Sequence, residues 1–88
     1  MLLNSETDYA IRIVSCLAKK KDHLTAATIS KETGVTVRFA LKILHTLSVN
    51  GIVKSIKGKN GGYLLNKKPE EITLLQIIEL FGGTMFVN

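Results

Sequence analysis

Arg38 and Lys42 stand four residues apart inside a 37-residue stretch, 33–69, that contains no carboxylate. On a helix, side chains at that spacing share a face. An arginine there suits the O6 and N7 acceptors of guanine through two parallel hydrogen bonds, and a lysine suits the same acceptors or a phosphate. Phe39 lies beside them and is read as packing on a flanking helix, with contact to a thymine methyl as the alternative. Thr36 precedes them as a helix cap whose hydroxyl could also donate to phosphate. Further on, Lys57, Lys59 and Asn60 cluster at a glycine-rich turn with Gly61, where they suit phosphate or a minor groove.

Other chemistry is poorly served. Cys16, His23 and His45 make no ligand spacing such as C-x-x-C or H-x-x-x-H, so no metal site is expected. No nucleophile, base and orienting group come together, so the chain reads as a non-enzyme with no catalytic residue. Gly58–Gly62 lacks the Lys-Ser/Thr ending of a phosphate-cradling loop and joins two strands instead of a strand and a helix.

Eighty-eight residues allow one domain with one modest core, burying ~64 % of the unfolded surface. Apolar residues make up 45 %, too many for a disordered chain. No apolar run approaches the ~20 residues of a membrane span. The first residues carry no basic segment of the secretory kind, and a single cysteine makes no internal disulfide. A reducing, cytoplasmic setting is expected. The net charge of +5 is unevenly placed: residues 1–32 carry +1, residues 33–69 carry +7 and residues 70–88 carry −3. The central segment is the footprint of a polyanion-binding face, although a solvated lysine-rich surface would look the same by charge alone.

The elements that must position these groups follow from periodicity and punctuation. Ser5 is the expected N-cap of a first helix over about 5–20, with Glu6 and Asp8 in its first turn and Ala10, Ile13, Val14 and Leu17 on its buried face. A short second helix begins at Thr25 and stops at Gly34. Thr36 caps a third, 36–49, with an apolar stripe of Val37, Ala40, Leu44 and Leu47, ended by Asn50-Gly51. Ile52–Lys57 and Tyr63–Asn66 read as strands of a hairpin, and positive φ is expected at Gly61 or Gly62. After Pro69, Thr73 caps a fourth helix with Leu74, Ile77, Ile78 and Phe81 on its apolar face, ended by Gly82-Gly83. The fold class is mainly α with a small β-hairpin, in the order helix, helix, helix, hairpin, helix. Two short helices joined by a glycine-containing turn, followed by a basic-tipped hairpin, is the winged helix-turn-helix arrangement.

Over essentially its whole length the chain resembles the Rrf-two type of bacterial winged-helix regulators. The residues that carry the resemblance are Asp8-Tyr9-Ala10; Leu44-x-x-Leu47 leading into Asn50-Gly51-Ile52-Val53-Lys54-Ser55; Gly58-x-x-Gly61-Gly62-Tyr63-x-Leu65; and Glu70-Glu71-Ile72-Thr73-Leu74 leading into Ile77-Ile78. The resemblance implies a sequence-specific, usually dimeric, DNA-binding repressor or activator. Bases would be read by helix 36–49 in the major groove, and wing 57–63 would contact backbone or minor groove. It adds Tyr9, which stands where family members approach phosphate, and Thr25 at the start of the second helix joins the DNA-contacting set. Leu41 stands where some members carry a polar base-reading residue, which implies a different target sequence.

Family members run on through a cysteine-bearing loop and a long dimerisation helix. The sequence ends at Asn88, so the reading is of one domain, 1–88, without the sensor loop or that helix. An iron–sulfur cluster is expected only where a longer natural chain supplies cysteines, and a homodimer only in the full-length form. The expected partner is double-stranded DNA, with no membrane. Two other classes compete: a basic RNA- or ribosome-associated protein, and a winged-helix interaction module. The five aromatic residues are scattered and form no stacking platform for RNA bases. A module that had lost DNA binding would be expected to dilute the charges of Arg38, Lys42, Lys57 and Lys59, which are present.

Overall fold

The computed structural model describes residues 4–82, and every structural statement refers to them. Four α-helices and one antiparallel hairpin follow in the expected order: α1 Ser5–Ala18, α2 Ala26–Thr33, α3 Val37–Val49, β1 Val53–Ile56, β2 Gly62–Leu65 and α4 Leu74–Phe81. A single 3-10 turn, Pro69–Glu71, links β2 to α4. It is closed by the backbone N–H of Lys68, which donates to the Glu71 carboxylate at 3.1 Å.

Helix starts obey side-chain capping. The hydroxyls of Thr25, Thr36 and Thr73 accept the backbone N–H groups of Thr28, Phe39 and Gln76 at 3.1, 3.2 and 3.1 Å. Each such cap is worth about 1 kcal/mol. Gln76 returns the contact, its side-chain oxygen accepting the Thr73 N–H at 3.0 Å, which completes a capping box. Gly34 closes α2 in the left-handed region at φ +78°, where a Cβ would be strained. At α1 the cap is Asn4 and not Ser5, which is the first helical residue. Asn4 prevails because it has two partners. Its Oδ1 accepts the Thr7 N–H at 2.7 Å, while its Nδ2 donates to the Phe81 carbonyl at 3.1 Å, tying the start of α1 to the end of α4. The helix ends at Ala18 with Lys19 as C-cap, so Lys20 and Lys21 fall in the following loop.

The core is a single cluster in which Ile13, Ile29, Ile43, Leu44 and Leu47 lose all solvent exposure. Each such side chain contributes about 1.5–3 kcal/mol. Leu44→Ala in the middle of α3 would therefore cost about 2–5 kcal/mol and loosen every element packed on it. Two expected core positions lie outside it. Val37 is 43 % exposed and Leu74 is 53 % exposed. Both occupy the first residue of their helix, where the apolar period runs on beyond the edge of the core. The buried side of α3 is Ala40, Ile43, Leu44 and Leu47, and that of α4 is Ile77 and Ile78. Gly83 lies outside the described residues.

The hairpin pairs Val53 with Leu65 and Ile56 with Gly62. Positive φ occurs at Gly58, +108°, and not at Gly61 or Gly62. Those two glycines are needed for space. A Cβ on Gly61 would collide with the Ile56 carbonyl oxygen, and one on Gly62 would lie 2.5 Å from the Leu24 carbonyl oxygen. The second crowding reflects a third strand-like partner. Leu24 and Tyr63 exchange backbone hydrogen bonds of 2.9 and 2.8 Å, which dock the loop between α1 and α2 along β2.

Candidate nucleic-acid interface

α2, the Gly34–Thr36 turn and α3 form a helix-turn-helix. Val35 inside the turn is buried, pinning the angle between the two helices. With its inner side sealed in the core, α3 turns Arg38, Leu41, Lys42 and His45 to solvent. Thr36, Arg38, Phe39 and Lys42 together line an open recess of about 440 Å³ at the start of α3. Four of the sequence-derived site residues thus meet in one place.

Their neighbours fix them to different degrees. Arg38 has no ion-pair partner among the described residues. Lys42 is held: its Nζ lies 2.8 Å from the Glu6 carboxylate on α1. Phe39 stays 42 % exposed, yet its ring meets that of Tyr9 edge-on, with centroids 5.7 Å apart and planes at 61°. Such a contact adds about 0.5–1.5 kcal/mol beyond area burial. Tyr9 is thus half-buried behind Phe39 and joins α1 to the base of α3. Thr25 and Thr36 both spend a lone pair on capping, and the Thr25 hydroxyl also meets the Thr28 hydroxyl at 3.1 Å.

The wing tip carries the second group. Lys57, Lys59 and Asn60 are exposed, and the Gly61 N–H closes the turn on the Gly58 carbonyl at 3.1 Å. The tip is braced from the α1–α2 loop, where His23 Nε2 hydrogen-bonds the Asn60 carbonyl. His23 Nδ1 faces Asp22 Oδ1 at 2.9 Å. The His23 backbone N–H, and then the charge of its ring, hold the Asp22 carboxyl below the usual carboxylate range.

Sequence reading missed Glu6, His23 and Leu24 as parts of the site. Glu6 was visible only as a first-turn carboxylate, and His23 and Leu24 sit in a loop without periodicity. Their roles arise from contacts across 36 to 39 residues.

Residues 3–88 match the Rrf2 family, described as an iron-dependent transcriptional regulator. An HTH-type transcriptional regulator of Aquifex aeolicus is 39 % identical over 83 residues, covering 93 % of this chain and 58 % of that protein. The HTH-type transcriptional regulator NsrR of Shouchella clausii is 32 % identical over 81 residues, covering 90 % of this chain and 54 % of that protein. The chain therefore spans just over half the length of these curated relatives. Among solved structures, CymR of B. subtilis, titled the global cysteine regulator, superposes with a TM-score of 0.91 at 27 % identity over all of this chain and 70 % of that one. IscR of T. potens shares the fold, with a TM-score of 0.85 at 23 % identity, covering 100 % of this chain and 66 % of that one.

The iron in the family description finds no matching donors in these residues. The single cysteine, Cys16, is 8 % exposed on α1, and its Sγ lies 4.0 Å from the Glu32 carboxylate. Burial, and then Glu32, push that thiol above its usual range, opposite to what a thiolate ligand requires. No group of three ligand-type side chains converges among the described residues.

Proposed function

The chain belongs to the Rrf2 family of transcriptional regulators, and on that premise we propose that it is a sequence-specific DNA-binding domain. In this reading α3 enters the major groove with Arg38 on guanine. Lys42 reaches a second base or a phosphate, and Lys57, Lys59 and Asn60 hold the backbone from the wing. The observation that carries it is Arg38: exposed and unpaired among the described residues, two positions past the Thr36 hydroxyl that caps α3. A guanidinium left free at that place, on the second helix of a helix-turn-helix, is where base edges are met.

In the full-length protein the domain acts in the cytoplasm as part of a homodimer. Two copies of α3 then read two half-sites about one helical turn apart. One module alone makes a small interface and binds correspondingly less tightly. The experiment is selection from a random duplex library, followed by titration of the enriched duplex with RNA competitor. An enriched guanine-containing motif that resists RNA competition is expected. Equal affinity for every duplex and for RNA would refute the reading.

A further inference from the structure

On α3, Val37 and Leu41 are 43 % and 44 % exposed, two apolar side chains outside the buried side of the helix. At about 100° per residue, Leu41 lies about 40° from Val37 and about 60° from Arg38 around the helix. The exposed surface therefore carries two parallel rows four residues long: Val37 and Leu41, then Arg38 and Lys42. What covers the apolar row must also accept two cations, and it meets no carboxylate from residues 33–69. An apolar protein groove or a second α3 would bury the Arg38 guanidinium unpaired and leave Lys42 with Glu6 as its sole charge partner. The major groove of DNA meets both demands. It is lined by guanine acceptors and phosphates, and the thymine C5-methyl is the apolar group among its recognition features.

We propose that Leu41, assisted by Val37, determines sequence preference by packing on thymine methyl groups beside the base read by Arg38. The inference rests on the DNA-binding reading and extends it. The two side chains sit about 6 Å apart on the helix, close to two base steps of about 3.4 Å, so the methyls would lie on pyrimidines within two steps of each other. The same surface discriminates against RNA, whose uracil lacks the methyl and whose major groove is too narrow for side chains to read.

The test removes the methyl and nothing else. The duplex enriched by the wild-type chain is resynthesised with deoxyuridine in place of each thymidine in turn. At one or two positions next to the essential guanine, affinity is expected to fall about fourfold, the worth of one buried methyl. In Leu41→Ala, whose site is exposed and whose new residue favours helix, the same replacement is expected to change affinity less than about 1.5-fold, the coupling of a true contact pair. Val37→Ala is expected to reduce the effect at the second position. If every deoxyuridine duplex binds like the parent, or if the loss persists in Leu41→Ala and disappears in Phe39→Leu, the assignment is overturned while DNA reading stands. If no duplex is enriched at all, the DNA-binding reading fails with it.

Discussion

Glu6 and Lys42 form an ion pair of 2.8 Å across 36 residues of chain, joining the first turn of α1 to the exposed side of α3. The lysine that the helix offers to a nucleic acid is thus already held by a carboxylate of the same chain. With the side chains 62 % and 36 % exposed, such a pair adds only about 0–1 kcal/mol to stability. Its larger effect falls on binding, because Lys42 must leave Glu6 before it can serve a base or a phosphate. Glu6→Gln is expected to leave the thermal midpoint nearly unchanged and to tighten duplex binding about two- to fivefold at low salt. Fluorescence anisotropy at two salt concentrations checks this, and weaker binding by the variant would count against it.

Arg38 and Lys59 each carry one positive charge, and the proposed roles separate them. Arg38→Ala is expected to cost about 1–3 kcal/mol on the preferred duplex and to flatten preference at one base pair. Lys59→Ala is expected to weaken all duplexes alike and to make the salt slope shallower by about one unit. Parallel library selections with the two variants make the comparison. Identical base preferences for Arg38→Ala and wild type would move the reading role to Lys42.

The wing holds its place because Gly62 allows Leu24 to approach. A Cβ there would lie 2.5 Å from the Leu24 carbonyl oxygen, so Gly62→Ala is expected to detach the hairpin from the α1–α2 loop. Helical circular dichroism should persist while the salt slope of DNA binding falls by about two units, one each for Lys57 and Lys59. His23→Leu, which removes the brace on Asn60, is expected to move the slope in the same direction by less. An unchanged slope in both variants would show that the wing makes no backbone contact.

Cys16 supplies a pH prediction. Burial, and then Glu32, raise its thiol pKa, so the folded chain keeps a proton that the unfolded chain releases. The associated stability is fully present below the unfolded value and is lost as the pH rises above it through the raised folded value. Thiol labelling of the native chain at pH 8 is expected to be at least about tenfold slower than in denaturant. Cys16→Ala should remove the alkaline part of the stability loss. Rapid native labelling would show a thiol more exposed and more acidic than the packing on α1 allows.

The fold was legible where the determinants are local. Thr25, Thr36 and Thr73 cap the helices they immediately precede, and the glycine-rich turn marks the hairpin. Legibility failed where a choice was settled from far along the chain. Asn4 and Ser5 are both good caps, and the Phe81 carbonyl, 77 residues away, favours Asn4. Val37 and Leu74 continue an apolar period, but burial begins only at Ala40 and Ile77, nearly a turn further in, which no period reveals. In the candidate site, the residue types of Arg38, Lys42, Lys57 and Lys59 were readable from charge and spacing. The carboxylate on Lys42 and the imidazole on Asn60 were not, because both come from elements separate in sequence.

The docking of Leu24 on β2 leaves β1 as the hairpin's outer strand, paired only along its inner side among the described residues. Such an edge invites strand addition by a second molecule. It is only four residues long, with Lys54 inside it and Lys57 just past its end. Two such edges brought together would set lysine against lysine. Colloidal stability and attraction to polyanions therefore draw on the same few charges.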